Sequence, residues 1–165
     1  MTVLVRPAHG DELGEVGDIT VAAYEVDGYL VPDDPYVPRL RDAAARAREA
    51  EVYVATLEDL PGRIAGTVTF CPDGSPWREI ARPGEGEFRM LGVAPGARRR
   101  GVADALVGTC LERSRELGYT AVVLSSLPEQ RAAQRIYARL GFRRTPDLDW
   151  SPMPGVDLLA FRLDL

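Results

Sequence analysis

Leu91-Gly92-Val93-Ala94-Pro95-Gly96-Ala97-Arg98-Arg99-Arg100-Gly101-Val102-Ala103 reads as an apolar strand that ends, turns on Pro95 and Gly96, and enters a helix through an Arg/Gly-rich corner. The first N–H groups of a helix lack intrahelical partners and carry the positive end of its dipole. With little or no side chain at Gly101 and Ala103, a phosphate can come close to that main chain. The backbone of this corner can therefore hold a pyrophosphate. There is no G-x-x-x-x-G-K-[ST] and no lysine anywhere in the chain, which excludes a Walker-type nucleotide site. Three arginines at a positive dipole end are unfavourable without an anion. Arg99 and Arg100 could nevertheless face solvent.

Outward from the corner, Glu87 to Ala94 is the strand that feeds it, and the helix that leaves it runs from Gly101 to Leu117, with Gly118 as its stop. Thr120 to Ser125 is nearly continuous in apolar and β-branched residues, as a strand covered on both faces should be. Ser126 and Glu129 have the spacing of a capping box. A helix follows to Leu140, with Ala133, Ile136, Tyr137 and Leu140 in one stripe and Gly141 as its stop. Phe142 to Thr145 starts another strand, Pro146 to Gly155 reads as a loop bearing Trp150, and Val156 to Leu163 alternates as the last strand. Upstream, Thr2 to Arg6 is a first strand. The spacing predicts helices from about Asp11 to Val26 and from about Val37 to Ala50, joined by a turn-rich connection with two prolines and two tyrosines. Glu51 to Leu57 and Arg63 to Phe70 form a hairpin, and Cys71 to Gly86 is a Pro/Gly-rich loop bearing Trp77. The element order is thus β-α-α-β-β-β-α-β-α-β-β.

That order, the R-x-x-G-x-A corner at Arg98 to Ala103, and the A-x-x-x-Y-x-x-x-G-F pattern of Ala133, Tyr137, Gly141 and Phe142 together resemble the GNAT N-acetyltransferase superfamily. The resemblance covers essentially the whole chain. It implies a layered α/β (α+β) fold whose central, mixed and mostly antiparallel sheet of about seven strands is flanked by four helices. It also implies acetyl-CoA as the donor, no metal, and transfer of the acetyl group by direct attack of an amine in a ternary complex. Amides of Arg98, Arg99, Arg100, Gly101, Val102 and Ala103 would bind the pyrophosphate, and the backbone of Leu91, Gly92 and Val93 would pair with the pantetheine. Gln130 stands where family members often carry an asparagine that touches the cofactor, and Ser125 could touch the pantetheine. Tyr137 is the expected acid for the departing thiolate, though a tyrosine in an apolar stripe is also at home in a core. Glu87 is the expected base for the incoming amine; a strand-end carboxylate paired with Arg89 is the equally weighted alternative. Tyr24, Tyr29, Trp77 and Trp150 come from segments that line the acceptor side, and such aromatics suit an amine on an apolar or ring-bearing body. A larger acyl-CoA donor, or a catalytically idle domain that binds acyl-CoA as a sensor, also fits the same residues. A homodimer is the assembly the resemblance suggests.

Composition agrees with these limits. At 165 residues one domain over 1–165 is expected, and 45% hydrophobic with 27% charged residues is the make-up of a soluble globular protein. Apolar runs are too short to span a membrane, and the first residues show no cationic region followed by an apolar one. Cys71 and Cys110 are a distant pair that gives neither a disulfide framework nor metal-ligand spacing, consistent with reduced thiols in the cytoplasm. A net charge of −5 argues against a nucleic-acid binder. The expected partner is a small-molecule or peptide amine. All 20 basic residues are arginines, so the protein offers no lysine side chain of its own to acetylate.

Overall fold

Ile64–Cys71 (β3) is buried at every position, and a strand covered on both faces must lie inside a sheet with helices above and below. The computed structural model, which describes residues 2–165, has that arrangement. The other strands are β1 (Val3–Pro7), β2 (Glu51–Leu57), β4 (Glu85–Val93), β5 (Ala121–Ser126), β6 (Arg143–Arg144), β7 (Trp150–Met153) and β8 (Val156–Asp164). The helices are α1 (Leu13–Val26), α2 (Val37–Arg41), α3 (Ala43–Glu49), α4 (Val102–Glu116) and α5 (Arg131–Arg139). Strand order is β1-β2-β3-β4-β5-β8-β6, with β7 also paired to β8. Every pairing is antiparallel except β4 with β5.

Two apolar layers sandwich this sheet. Val102, Leu106, Val107 and Cys110 of α4 join Tyr137 of α5, Phe70, Phe88 and Phe161 in the larger one. On the opposite face Val16 of α1 packs with Val54 and Ile64, and Val21 with Leu40, Cys71 and Met90. Each large apolar side chain so buried is worth about 1.5–3 kcal/mol. Gly118 and Gly141 stop α4 and α5 with φ of 74° and 101°, as their positions in the sequence predict.

The mixed, mostly antiparallel sheet is the one expected, with eight strands and five helices in place of about seven and four. The helix expected over 37–50 is two helices. Asp42 leaves the helical region (φ −83°, ψ 66°), and its carboxylate accepts the Ala45 N–H at 3.0 Å to cap α3. The helix expected from Asp11 opens with a 3-10 turn over Gly10–Glu12 and becomes α-helical only at Leu13. The extra strand is β7, inside the stretch expected to be loop. The capping box at Ser126 and Glu129 does not form: α5 begins after Gln130, whose Oε1 accepts the Leu127 N–H at 2.9 Å, while the Ser126 hydroxyl donates to the Leu127 carbonyl at 3.1 Å.

The feature that matters most for function is where β4 and β5 part. They pair only from Glu85–Ala121 to Glu87–Val123. Past that point β4 bulges, so that Met90 and Leu91 together face Val68, between the Thr69–Arg89 and Thr67–Gly92 pairs, and Met90 takes φ 55°. An inserted residue bends and twists its strand. The bend turns β4 away from β5 and leaves Leu91–Val93 without a partner on that side.

Candidate active site

A cleft of about 720 Å³ opens at this parting, between α1, the end of β4, the start of α4 and the outer side of α5. Leu91, Gly92 and Val93 form its floor, and Arg98, Arg99, Gly101, Val102 and Ala103 form the corner. Gly101 precedes α4 at φ 80°, a left-handed conformation that favours glycine, and no side chain caps the helix. The first amides of α4 therefore face the cleft with no capping acceptor of the protein's own, which is what a pyrophosphate needs. Arg98 is drawn across to the end of α1, where its guanidinium meets both carboxylate oxygens of Asp27 at 2.8 and 2.9 Å. The Arg100 side chain does not line the cleft and pairs with Asp59 at 2.6 Å, in keeping with the outward course the sequence left open for it.

Gln130 lines the cleft. Its amide oxygen accepts the Leu127 N–H at 2.9 Å and the Ser126 hydroxyl at 3.2 Å. Tyr24 and Tyr29 form the α1 side of the cleft with ring centroids 6.4 Å apart, and Tyr36 stands 6.5 Å from Tyr24. Burial pushes the Tyr24 phenol well up, and the nearby Tyr36 and Tyr137 phenols push it further. Ser125 lies outside the cleft, where its hydroxyl accepts the indole N–H of Trp150 at 3.1 Å. Trp150 is thereby fixed against the end of β5 rather than in the cleft. Trp77 departs further from the expected acceptor wall: it is only 7% exposed, packs with Val21, Leu40 and Met90, and carries the Arg39 guanidinium over its ring at 4.6 Å.

Tyr137 sits behind the α5 wall, 5% exposed, with its ring 5.8–6.0 Å from those of Phe88, Phe142 and Phe161. The ring is core. Its hydroxyl donates to nothing among the described residues, and burial holds the phenol well above its ordinary pKa. It is consequently a protonated donor at neutral pH.

Glu87 is fully buried on the opposite face of β4. Its Oε1 accepts the N–H groups of Glu79, Ile80 and Ala81 at 3.0, 3.0 and 2.9 Å, and Oε2 accepts Glu79 N–H at 3.1 Å. Burial raises its pKa, and the three amides pull it part of the way back. Arg89, the expected alternative partner, pairs instead with Glu79 at 3.1 Å and donates to Tyr36 Oη at 3.2 Å and to the Trp77 carbonyl at 3.1 Å. Burial also pushes the Cys71 thiol up to about 12 and Cys110 well above its ordinary value, so neither is a nucleophile at neutral pH.

The sequence reading misses one wall of the cleft. Arg135, Ile136 and Arg139 of α5 and Asp104 of α4 also line it. The available signal was the helical spacing of Arg131, Arg135 and Arg139 beside the small residues Ala132 and Ala133.

The split in the mixed sheet leaves a free strand edge at Leu91–Val93 beside the uncapped first amides of α4. The family model described as Acetyltransferase (GNAT) family matches residues 17–142, and the chain belongs to that family. Among curated proteins, a mycothiol acetyltransferase from Cellulomonas flavigena is 32% identical over 132 residues, which are 73% of this chain and 36% of that protein. N-acetyltransferase 8 from Rattus norvegicus is 39% identical over 88 residues, 51% of this chain and 36% of that protein. The chain thus matches only about a third of the length of these relatives. Among solved structures, a GNAT-family acetyltransferase from Staphylococcus aureus Mu50 superposes with a TM-score of 0.76 at 15% identity over 99% of both chains. The PaiA N-acetyltransferase of Thermoplasma acidophilum, solved with coenzyme A, gives 0.76 at 10% identity over the whole of both chains. Among the described residues no helix is long and apolar enough to cross a membrane.

Proposed function

We propose that this chain is an N-acetyltransferase that moves the acetyl group of acetyl-CoA to the amine of a small molecule or peptide in the cytoplasm. The observation that supports this most is the parting of β4 and β5, which exposes the Leu91–Val93 backbone beside the uncapped amides of α4. Acetyl-CoA supplies the activated acetyl thioester. The amides from Arg98 to Ala103 bind its pyrophosphate, and a backbone N–H of Leu91–Val93 polarises the carbonyl that the amine attacks. Tyr137 would give its unbonded hydroxyl proton to the sulfur as the carbon–sulfur bond breaks, and the proton that the nitrogen sheds on becoming an amide would restore the phenol, which burial holds in its protonated form. Tyr24 and Tyr29 form the wall against which the body of the amine rests. Glu87 acts by positioning: its oxygens are taken up by the amides of residues 79–81, and it fixes the loop that brings Glu79 to Arg89.

Calorimetry with acetyl-CoA, beside thiol release with a panel of amines, tests the proposal. Wild-type protein is expected to bind acetyl-CoA and release thiol with at least one amine. Gly101→Glu, which places a carboxylate and a disfavoured backbone conformation at the phosphate corner, is expected to abolish binding. Tyr137→Phe is expected to keep binding and lose about 10²–10⁴-fold in kcat, the usual share of a general acid. Absence of acyl-CoA binding by folded wild-type protein would overturn the donor assignment, and unchanged kcat in Tyr137→Phe would remove the acid.

A further inference from the structure

An alkylamine reaches an enzyme at neutral pH as its ammonium ion, and a proton must leave before the nitrogen has a lone pair to attack with. The two acids that line the cleft are already engaged. Both oxygens of Asp27 accept from Arg98 at 2.8 and 2.9 Å, and both oxygens of Asp104 accept from Arg139 at 2.6 and 2.8 Å. The Glu87 oxygens are filled by the amides of residues 79–81. Glu79 differs from all three. Its Oε1 lies 3.1 Å from Arg89 Nε, its Oε2 accepts nothing among the described residues, and its side chain keeps 19% of its surface exposed.

The guanidinium that holds this carboxylate also reaches toward the tyrosine wall. Arg89 is the last residue of β4 before the bulge at Met90, and its Nη2 donates to Tyr36 Oη at 3.2 Å. The Tyr36 ring stands 6.5 Å from that of Tyr24, which lines the cleft. Glu79, Arg89, Tyr36 and Tyr24 therefore form one line, from a carboxylate oxygen without a partner to the wall against which the amine rests. We propose that Glu79 is the base of the reaction: Oε2 takes one proton from the ammonium of the acceptor, and the neutral amine so formed attacks the thioester carbonyl. Arg89 is a positioning residue that fixes the carboxylate and the Tyr36 hydroxyl relative to each other. As the carbon–nitrogen bond forms and the carbon–sulfur bond breaks, the second nitrogen proton goes to the Tyr137 side, and Glu79 returns the first to solvent through its exposed edge. The inference rests on the reading of the chain as an acetyltransferase with its acceptor at the tyrosines, and it supplies the base that Glu87 is too fully bonded to be. Burial raises the Glu79 pKa, Arg89 lowers it, Glu87 raises it and Arg39 lowers it. Tyr36 and Cys71 also face it, and burial keeps both protonated at neutral pH.

The pH dependence of kcat/KM with phenethylamine and with phenylalaninamide, on wild type, Glu79→Gln and Glu79→Asp, tests this. The two acceptors share a ring-bearing body, and the carboxamide beside the nitrogen makes the second the weaker base. Wild type takes the ammonium and deprotonates it, so its acid limb should fall at one pH for both acceptors. In Glu79→Gln only the free amine reacts. With phenethylamine kcat/KM should drop about 10²–10⁴-fold at neutral pH, with much less loss for phenylalaninamide. The limb should move to the pKa of each amine, and the deficit should close above it. Glu79→Asp, a carboxylate on a shorter stem, should keep the common limb at a lower rate, and acetyl-CoA affinity by calorimetry should be unchanged in both variants. A Glu79→Gln profile like that of wild type, or a loss equal at every pH and for both amines, would overturn the inference and leave the donor cleft standing. So would a wild-type limb that already follows the amine, a comparison that decides the matter even if Glu79→Gln does not fold. If wild type binds acetyl-CoA but acetylates neither amine, the acceptor wall is misread and the base falls with it. Failure of folded wild type to bind acetyl-CoA would remove the donor cleft as well.

Discussion

With its oxygens accepting the amides of Glu79, Ile80 and Ala81, the Glu87 carboxylate fastens the 72–84 loop to the centre of the sheet. A fastener and a base respond differently to Glu87→Gln. The amide keeps one acceptor oxygen and turns an NH2 toward donors, so buried N–H groups lose partners at about 1–3 kcal/mol, or roughly 3–10 °C in Tm for a chain of this size. Thermal unfolding should show that loss, and the acid limb of the kcat/KM profile should remain. Disappearance of the limb at unchanged Tm would return the base to Glu87. At this scale the glycine turn from β4 into α4 was legible in the sequence, because Gly101 and the strand before it act through their backbones and need no distant partner. The occupation of Glu87 was not legible, since the donors that claim it come from a loop with no motif. Trp77 was misplaced for a similar reason: an indole on a Pro/Gly-rich loop looks available until the loop folds back over Val21 and Met90.

Between elements, α1 comes close to the end of α2 at Gly17. A Cβ added at Gly17 would lie 2.1 Å from the carbonyl oxygen of Arg41, a backbone atom that cannot step aside. Judged on helix propensity alone, Gly17→Ala would gain about 1 kcal/mol. The crossing reverses the sign: overpacking of about 1–3 kcal/mol or more should outweigh the gain, with a lower denaturation midpoint at unchanged m-value. A midpoint that rises would show that α2 can shift away freely. Gly17 weakens the helix in the sequence, and only the packing reveals why it is there. The break at Asp42 was hidden by an alanine- and arginine-rich run that reads as one helix. Prolines hid β7: Pro152 and Pro154 read as loop, yet a strand paired on one side only tolerates a residue with no N–H to give.

For the whole molecule, the order of elements along the chain followed from the sequence because period and length gave each element its type and the corner motif marked where β4 ends, while the layered, mostly antiparallel sheet came with the family resemblance. The bulge at Met90 did not, since nothing about methionine announces a φ of 55°. Yet that one residue lets a continuous sheet carry an opening. It also divides the protein into backbone that is always paired and backbone that waits for a partner, a difference that amide hydrogen exchange can time. In the free protein, amides of β3, paired on both sides, should exchange among the slowest, and those of Leu91–Val93 that face the opening should exchange orders of magnitude faster. Donor binding should slow the second set far more than the first. If both sets already exchange alike before any donor is added, β4 and β5 close on each other in solution. The opening would then be a state that the donor selects rather than one the sheet keeps ready.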